Sequence, residues 1–493
     1  MTSEHADDLR KLVYPETYFV GLSPQEMRLA LLSRGIHIEL GDSFRYLELG
    51  FGSGFSLNIH AAANDGEFWG NDFVREHVDG AASIAAVSGA RARFLPDAFA
   101  DLLKRDDLPA FDMIAAHGIW TWVPDDDRAA IVELLKRKLA PGGVFYVSYN
   151  NTAGWSQAVY LRQMMKLFLA EGGGRAGVGE AIAFARSLQR AGAAYFKENP
   201  IAGAELAMMA GRDPVYLQQE YFLDDWKLMS LADVEHALRP AGLEFGAQFP
   251  LIAHADDLVL GAGGREIIAN IESPLLRETV REAFQGMGFR QDIFVKQPKR
   301  LAEDERREHF GRQAFLLTTQ PRNVMLKGGS PWGDLDLGAQ GCAPIINAMD
   351  ELGAKPHSLA ALKAALPSIA MDDLIYRMLL LAATGVVRAT LATERQQAAR
   401  ARCAALNAHL LGLQSGERAV LASPVLGAGV EVSPLEKAFM SEYLAGRHTV
   451  DEIAPYVENT CGAELRGRSA QEVAGILVRD HLPVFRAMGL IAD

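Results

Sequence analysis

The feature that most constrains this chain is a passage from an apolar run through three glycines into an uninterrupted helical segment. Phe44-Arg45-Tyr46-Leu47-Glu48-Leu49 reads as a short strand, Gly50-Phe51-Gly52-Ser53-Gly54 follows, and Phe55 to Ala63 carries no breaker. Glycines at such a place permit a sharp turn and let a ligand approach the backbone without Cβ clashes. The same rhythm then repeats. Glu67-Phe68-Trp69-Gly70 is strand-like and ends at Asn71-Asp72, Glu76 to Val87 reads as a helix, and Ala92-Arg93-Phe94-Leu95 leads to Pro96-Asp97. Phe111 to Ala116 is another short strand, Ala129 to Leu139 has helical spacing up to Pro141-Gly142-Gly143, and Val144 to Tyr149 closes the series as a strand. Strands alternating with helices require a parallel sheet covered on both faces, which predicts an α/β, doubly wound, Rossmann-like sheet. Ahead of it, Ser23-Pro24-Gln25-Glu26 predicts a helix start with a capping box.

Past Asn151 the rhythm changes. Residues 156 to 210 are alanine-rich and helical, broken by glycines at 172 to 174, and two isolated strands follow at Leu243-Glu244-Phe245-Gly246 and Asp292-Ile293-Phe294-Val295. They are expected to be late strands of the first sheet with helical insertions around them; a separate helical domain over 156–320 is the alternative. The charged Arg300 to Arg312 stretch reads as a surface helix. After Pro331-Trp332-Gly333 the chain is mostly helical and repeats weakly: Pro356-His357-Ser358 opens a unit ending at Gly385-Val386-Val387, and Arg447-His448-Thr449 opens one ending at Gly489-Leu490-Ile491. This resembles a tandem winged-helix arrangement. The expected divisions are 1–155, 156–320 and 331–493.

Composition narrows the partners. The 493 residues carry 49 Lys plus Arg against 62 Asp plus Glu, a formal charge of −13, which disfavours a constitutive nucleic-acid or anionic-membrane binder. No run approaches the ~20 apolar residues that span a bilayer. The N-terminal residues lack a basic start and an apolar run, so no secretion signal is expected. The 3 cysteines, Cys342, Cys403 and Cys461, are too scattered for a disulfide framework or a zinc cluster. No metal and a cytoplasmic location are expected.

Three acids sharpen the glycine motif. Glu48 precedes the glycines, where it can meet a cationic amine. Asp72 ends the second strand, placed for both hydroxyls of a ribose, and Asp97 follows the third, placed for an adenine amino group. Amine, ribose and adenine together describe S-adenosylmethionine. The spacing Gly-x-Gly-x-Gly over Gly50, Gly52 and Gly54, without an implied pyrophosphate, argues against a nicotinamide dinucleotide.

With these motifs the chain resembles class I S-adenosylmethionine-dependent methyltransferases, and more narrowly the bacterial group with a methyltransferase regulatory domain and a winged-helix-like C-terminal domain, which includes protein-lysine methyltransferases. Tyr14-Pro15-Glu16-Thr17-Tyr18 with Ser23-Pro24 is similar to the family's N-terminal segment, which closes over the cofactor. His117-Gly118-Ile119-Trp120-Thr121-Trp122-Val123 is similar to its motif after strand four, and Ser148-Tyr149-Asn150-Asn151-Thr152-Ala153-Gly154-Trp155 to its motif after strand five. Tyr216 to Phe222 and Phe289-Arg290-Gln291-Asp292 look like the start and end of the regulatory segment. Phe51, Ser56, Ala153 and Gln219 depart from the family pattern.

The resemblance implies cofactor contacts from Tyr18, Glu48, Gly50, Gly52, Gly54, Asp72, Phe73, Asp97, Ala98 and His117, with S-adenosylhomocysteine as product. Tyr149 by its hydroxyl and Asn150 by its carbonyl are expected to orient the acceptor, with His117 as a base or cofactor contact. Trp120, Trp122, Trp155 and Tyr221 are expected to line the acceptor channel, with Glu220 beside them. Asp125-Asp126-Asp127 reads as a solvated helix start, or as a docking site for a basic substrate. The expected reaction is methylation of a protein lysine, with a C-terminal domain that docks the polypeptide or forms a homodimer. A small-molecule methyltransferase and a non-catalytic cofactor-binding scaffold are the alternatives.

Overall fold

The computed structural model describes residues 17–41, 43–172, 177–413, 418–461 and 467–491. Tyr14-Pro15-Glu16 and the glycines at 173 and 174 lie outside the described residues. The central sheet has seven strands: β1 (Arg45–Leu49), β2 (Glu67–Asn71), β3 (Ala92–Leu95), β4 (Phe111–Ala116), β5 (Leu139–Asn150), β6 (Leu243–Phe249) and β7 (Phe289–Lys296). Their order is β3-β2-β1-β4-β5-β7-β6, parallel through β5, with β7 antiparallel to both β5 and β6. The two late strands therefore extend the first sheet, as the apolar runs predict. Strand order reverses between β1 and β4, and in open α/β sheets ligands bind at the carboxyl ends of strands beside such a reversal.

Because side chains alternate along a strand, each strand feeds two cores. Tyr46, Phe68, Met113, Tyr146 and Ile293 face the side covered by α1 (Pro24–Ser33), whose Met27, Ala30 and Leu31 pack there, and α2 (Phe55–Ala63). Leu47, Trp69, Ile114, Phe145, Val147 and Tyr149 face the other side, against Ile131, Leu134 and Leu135 of α4, which spans Asp125–Lys138; α3 (Arg75–Ser88) lies between in sequence. Between β5 and β6, helices over Val159–Glu171, Val178–Arg190, Ala194–Glu198, Pro200–Met209 and Pro214–Phe222 build a core of their own around Trp155, Leu161 and Met165.

The C-terminal part is welded to the sheet domain through α2. All nine residues of α2 are buried: Leu57 and Ala61 face the sheet, while Phe55, Ile59, Ala62 and Ala63 belong to a core completed by Cys403, Leu406, Leu421 and Phe439. A helix so enclosed shows no face to water, and its three polar side chains, Ser56, Asn58 and His60, each find a hydrogen-bond partner inside the protein. Ala314–Leu317 pairs with His357–Ser358 and Val387–Ala389, so the C-terminal sheet draws a strand from before residue 320. A hairpin of Ala419–Ser423 and Ala428–Val432 follows.

One local expectation is corrected. Pro24 opens α1 with Ser23 at the cap, but no capping box forms. The Ser23 hydroxyl donates to the carbonyl of Gly427 (3.4 Å), and Glu26 pairs with Arg388 at 2.7 Å. Contacts to the C-terminal part outcompete the local cap. The charged helix at Glu303–Arg312 is as expected, with Arg307 bridging Asp304 and Asp372. Among the described residues no helix is long and apolar enough to cross a membrane, and no group of His, Cys, Asp and Glu is arranged to hold a metal.

Candidate cofactor and acceptor sites

The glycine loop is built by its backbone. Gly50, Gly52 and Gly54 all sit at positive φ (61°, 61° and 68°), a region side-chain-bearing residues rarely enter. The Gly50 and Phe51 N–H groups donate to the carbonyl of Asn71 (2.8 and 3.3 Å), tying the loop to the end of β2. A Cβ on Gly50 would strike Ile119 and one on Gly54 would lie 2.7 Å from the Ala81 Cβ, whereas nothing stands within 4 Å of the Cβ position of Gly52. Gly52 is thus the one of the three with open space beside its backbone.

Glu48, Asp72 and Asp97 stand at the carboxyl ends of three adjacent strands. Glu48 is only 4% exposed, its Oε2 meets no partner among the described residues, and burial pushes its carboxyl up to about 8. A buried carboxyl in this state lacks a cation, and an incoming amine would supply one. Asp72 shapes the turn: Oδ2 accepts from Gly52 N and Oδ1 from Val74 N, each at 2.9 Å, with His77 Nδ1 at 3.3 Å. Oδ2, with a single donor on it, retains a lone pair for a ribose hydroxyl. Asp97 is engaged at Oδ2 by Arg105 (3.0 Å), and its carbonyl accepts from Asn71 Nδ2 (3.0 Å). Phe73 and Ala98, half-buried, flank these acids. The residues present, a buried unpaired carboxyl, an acid at the loop and an open glycine backbone, thus fit S-adenosylmethionine.

His117, just past β4, lies on the same side of the sheet as Glu48. Its Nδ1 is 2.9 Å from the Tyr146 hydroxyl, which donates to Gln291 Oε1 at 2.7 Å. Tyr146 having spent its proton on Gln291, His117 must hold its own proton on Nδ1, which leaves Nε2 as an acceptor. Burial pushes His117 down to about 4, so the ring is neutral. Phe19 stacks over it with ring centroids 4.0 Å apart. Phe19 belongs to the N-terminal strap, whose Tyr18 contacts His60 of α2 (3.0 Å) and whose Phe19 N–H donates to Ser56 (2.9 Å). Ser56, a departure from the family pattern, thus anchors the strap.

Two expected acceptor-site residues are placed elsewhere. Tyr149 and Trp120 are fully buried on the opposite side of the sheet from His117. The Tyr149 hydroxyl donates to Asp292, which Arg290 grips through two hydrogen bonds (3.0 and 2.9 Å). Trp120 packs edge-on against Phe145. The reason is strand alternation: Tyr146, Ser148 and Asn150 share one side, so Tyr149 must take the other. Asn150 keeps the expected side. Its N–H donates to Thr121 (2.7 Å), its carbonyl accepts from Met229 (3.1 Å), and its buried Nδ2 has no partner among the described residues.

Trp122, Trp155 and Tyr221 do come together, in the helical insertion. Trp155 meets Tyr221 (5.5 Å between centroids) and Trp226 (5.2 Å), with Trp122 packed against the same cluster. The Tyr221 hydroxyl donates to Glu205 (3.5 Å), and Glu220 is pushed up to about 7 by burial and by Glu205. Arg162 lies 4.1 Å over Trp226 and donates to the carbonyls of Tyr221 and Leu223. Sequence reasoning overlooked Phe19, Tyr146, Gln291, Glu205 and Trp226. The period-two pattern of β5 carried the signal for Tyr146, and Gln291 stood unassigned in the Phe289–Asp292 motif. At the start of α4, Asp125 is held by Arg128 (2.8 Å) and Lys227 (3.1 Å).

Comparison with known proteins matches residues 47–143 to a methyltransferase domain and residues 213–296 to a predicted methyltransferase regulatory domain. An uncharacterised Synechocystis sp. protein, sll1526, is 30% identical over 441 residues, covering 87% of this chain and 85% of its own. The uncharacterised protein RP789 of Rickettsia prowazekii is 31% identical over 133 residues, 27% of this chain and 24% of its own. PKMT2 from Rickettsia typhi, solved in complex with AdoHcy, shares the fold over 96% of this chain and 99% of its own, with a TM-score of 0.69 and 16% identity.

Proposed function

Since the chain belongs to the class I S-adenosylmethionine-dependent methyltransferases that carry a methyltransferase regulatory domain, we propose that it methylates the side-chain amine of lysine in a protein substrate. Its cofactor is S-adenosyl-L-methionine, which supplies an electrophilic methyl group on a sulfonium. On this reading Glu48 binds the amine of the cofactor, Asp72 and Asp97 orient its nucleoside, and Phe19 with His117 shields the methyl-bearing end from water. Asn150, with its free Nδ2 on that side of the sheet, helps position the acceptor; Tyr149 acts only by holding the β5–β7 pairing in place.

The observation that carries the lysine reading is the aromatic and acidic cluster that follows β5. Trp155 and Tyr221 offer ring faces to an ammonium, the Trp226 face being taken by Arg162, and Glu205 and Glu220 add negative charge as they ionise. Lysine's reference pKa of about 10.4 leaves roughly one amine in a few thousand neutral at pH 7. The cluster would therefore dock the charged form, and proton loss would occur nearer the dry His117 side, where desolvation favours the neutral amine. The C-terminal part is proposed to dock the polypeptide rather than to act in chemistry.

Incubation with methyl-labelled cofactor and cell lysate, followed by separation of protein-bound from small-molecule label and hydrolysis to amino acids, tests this. Label in methyllysine supports the proposal; label only in small molecules replaces it with small-molecule methylation.

A further inference from the structure

A groove of about 310 Å³ runs between the Val178–Arg190 helix, the end of the Pro200–Met209 helix and the start of the Pro214–Phe222 helix. Its floor is apolar, from Ile182, Met209 and Leu217. Its charged lining is Arg186, Arg190 and Arg212, with no carboxylate among the described residues that line it. The chain as a whole has the opposite balance, with a formal charge of −13.

All three arginines are exposed, and neither Arg186 nor Arg190 has a hydrogen-bond or ion-pair partner among the described residues. Arg212 lies over the Tyr216 ring, 5.6 Å from its centroid, and forms no ion pair among the described residues. The acids at the starts of the same two helices are engaged with backbone. Glu180 accepts from the Gly177 N–H, and Asp213 from the Tyr216 N–H (3.2 Å). Arg186 and Arg190 stand four positions apart on one helix face, where like charges repel. A carboxylate set between them relieves that repulsion through charge-assisted hydrogen bonds. A nucleic acid would ask for a longer run of cations and would leave the apolar floor unused. Acidic side chains beside an apolar one match both features.

We propose that this groove docks an acidic segment of the polypeptide substrate, one in which carboxylates flank an apolar side chain. The proposal rests on the reading of the protein as a methyltransferase of protein lysine. Leu217 of the groove shares a core with Tyr221 and Trp155 of the aromatic cluster. Leu217 and Tyr221 are four positions apart on one helix, about 6 Å along its axis. An extended chain advances about 3.3 Å per residue. Acids a few residues from the lysine therefore reach the arginines while the lysine meets Tyr221 and Trp155.

The probe is a short fluorescein-labelled peptide with one lysine followed by aspartate, leucine, glutamate and aspartate, titrated into the full chain and followed by anisotropy at constant ionic strength. Its amide counterpart, with asparagine and glutamine for the acids, runs in parallel, as does a labelled oligothymidylate. Saturable binding of the acidic peptide is expected, about fivefold or more tighter than the amide peptide. Combining Arg186→Gln with Arg190→Gln should weaken it by a similar factor, and circular dichroism should show the fold intact because both side chains are exposed. Norleucine in place of the peptide's lysine should leave this arginine dependence in place. Equal affinity for the amide peptide, undiminished binding in the double variant, or tighter binding of the oligothymidylate would overturn the proposal. Methyllysine formed in lysate proteins at the full rate by the double variant would also overturn it, leaving the lysine reading intact. Arginine-dependent binding without methyllysine in any protein would overturn the lysine reading and leave the groove an acidic-peptide site.

Discussion

The hydroxyl of Tyr18 accepts a 2.7 Å hydrogen bond from the backbone N–H of Gly429, 411 positions further along the chain. The same hydroxyl contacts His60 of α2, so one tyrosine joins the N-terminal strap, the helix behind the glycine loop and the C-terminal hairpin. His60, fully buried, is pushed down to about 3 and stays neutral. The strap that carries Phe19 over His117 therefore depends on the C-terminal part for its position.

Gly429→Ala tests that dependence. The added Cβ would lie 2.7 Å from the Tyr18 ring and 2.6 Å from Val420, closer than packed carbons tolerate. The expected cost is about 1–3 kcal/mol of stability, seen as a lower thermal midpoint, with cofactor affinity falling severalfold in calorimetry. Unaltered cofactor affinity would separate the strap from the site.

Glu48 predicts a proton release. With its carboxyl raised from 4.5 to about 8, it is mostly protonated in the free protein at pH 7, and pairing with the cofactor's ammonium must expel that proton. Calorimetry in buffers of different ionisation heat should show about one proton released per cofactor bound, and Glu48→Gln should show none and bind more weakly. The folded state also holds the extra proton between 4.5 and about 8, so Glu48 lowers stability as pH rises through that window. Glu48→Gln should flatten this part of the stability–pH curve.

Asp72→Asn keeps the shape of the turn residue but removes its charge. Hydrogen bonds to charged groups are worth about 1.5–3 kcal/mol, so cofactor affinity should fall about 10- to 100-fold by the same arithmetic. Circular dichroism should show the fold intact. An unaltered dissociation constant would remove Asp72 from the ribose.

Tyr149→Phe should act on stability rather than chemistry. It strips Asp292 of a donor inside a fully buried cluster with Arg290 and Glu282, at a cost of about 1–3 kcal/mol. Denaturant midpoints should drop while the initial methylation rate at 25 °C changes less than twofold. A rate loss without destabilisation would return Tyr149 to the acceptor site.

Strand and helix positions from Phe44 to Tyr149 were readable because each is set by local pattern: apolar runs bounded by glycine, proline or aspartate, and helical spacing between them. Glu48, Asp72 and Asp97 were readable for a related reason, since neighbouring parallel strands bring their carboxyl ends into one row. The acceptor side was harder. Tyr149 and Trp120 sit within the right motifs, yet which face a strand side chain takes depends on what covers each side, and no local pattern records that.

The chain alone determined the doubly wound sheet, the glycine turn and the row of acids, because backbone sterics and side-chain periodicity act over a few residues. Tertiary packing decided the rest. Ser23 and Glu26 left their cap for Gly427 and Arg388, α2 was enclosed on both sides, and Arg28 was sealed beside Arg395. Each of these joins groups hundreds of positions apart, and only a closed fold brings such groups within bonding distance.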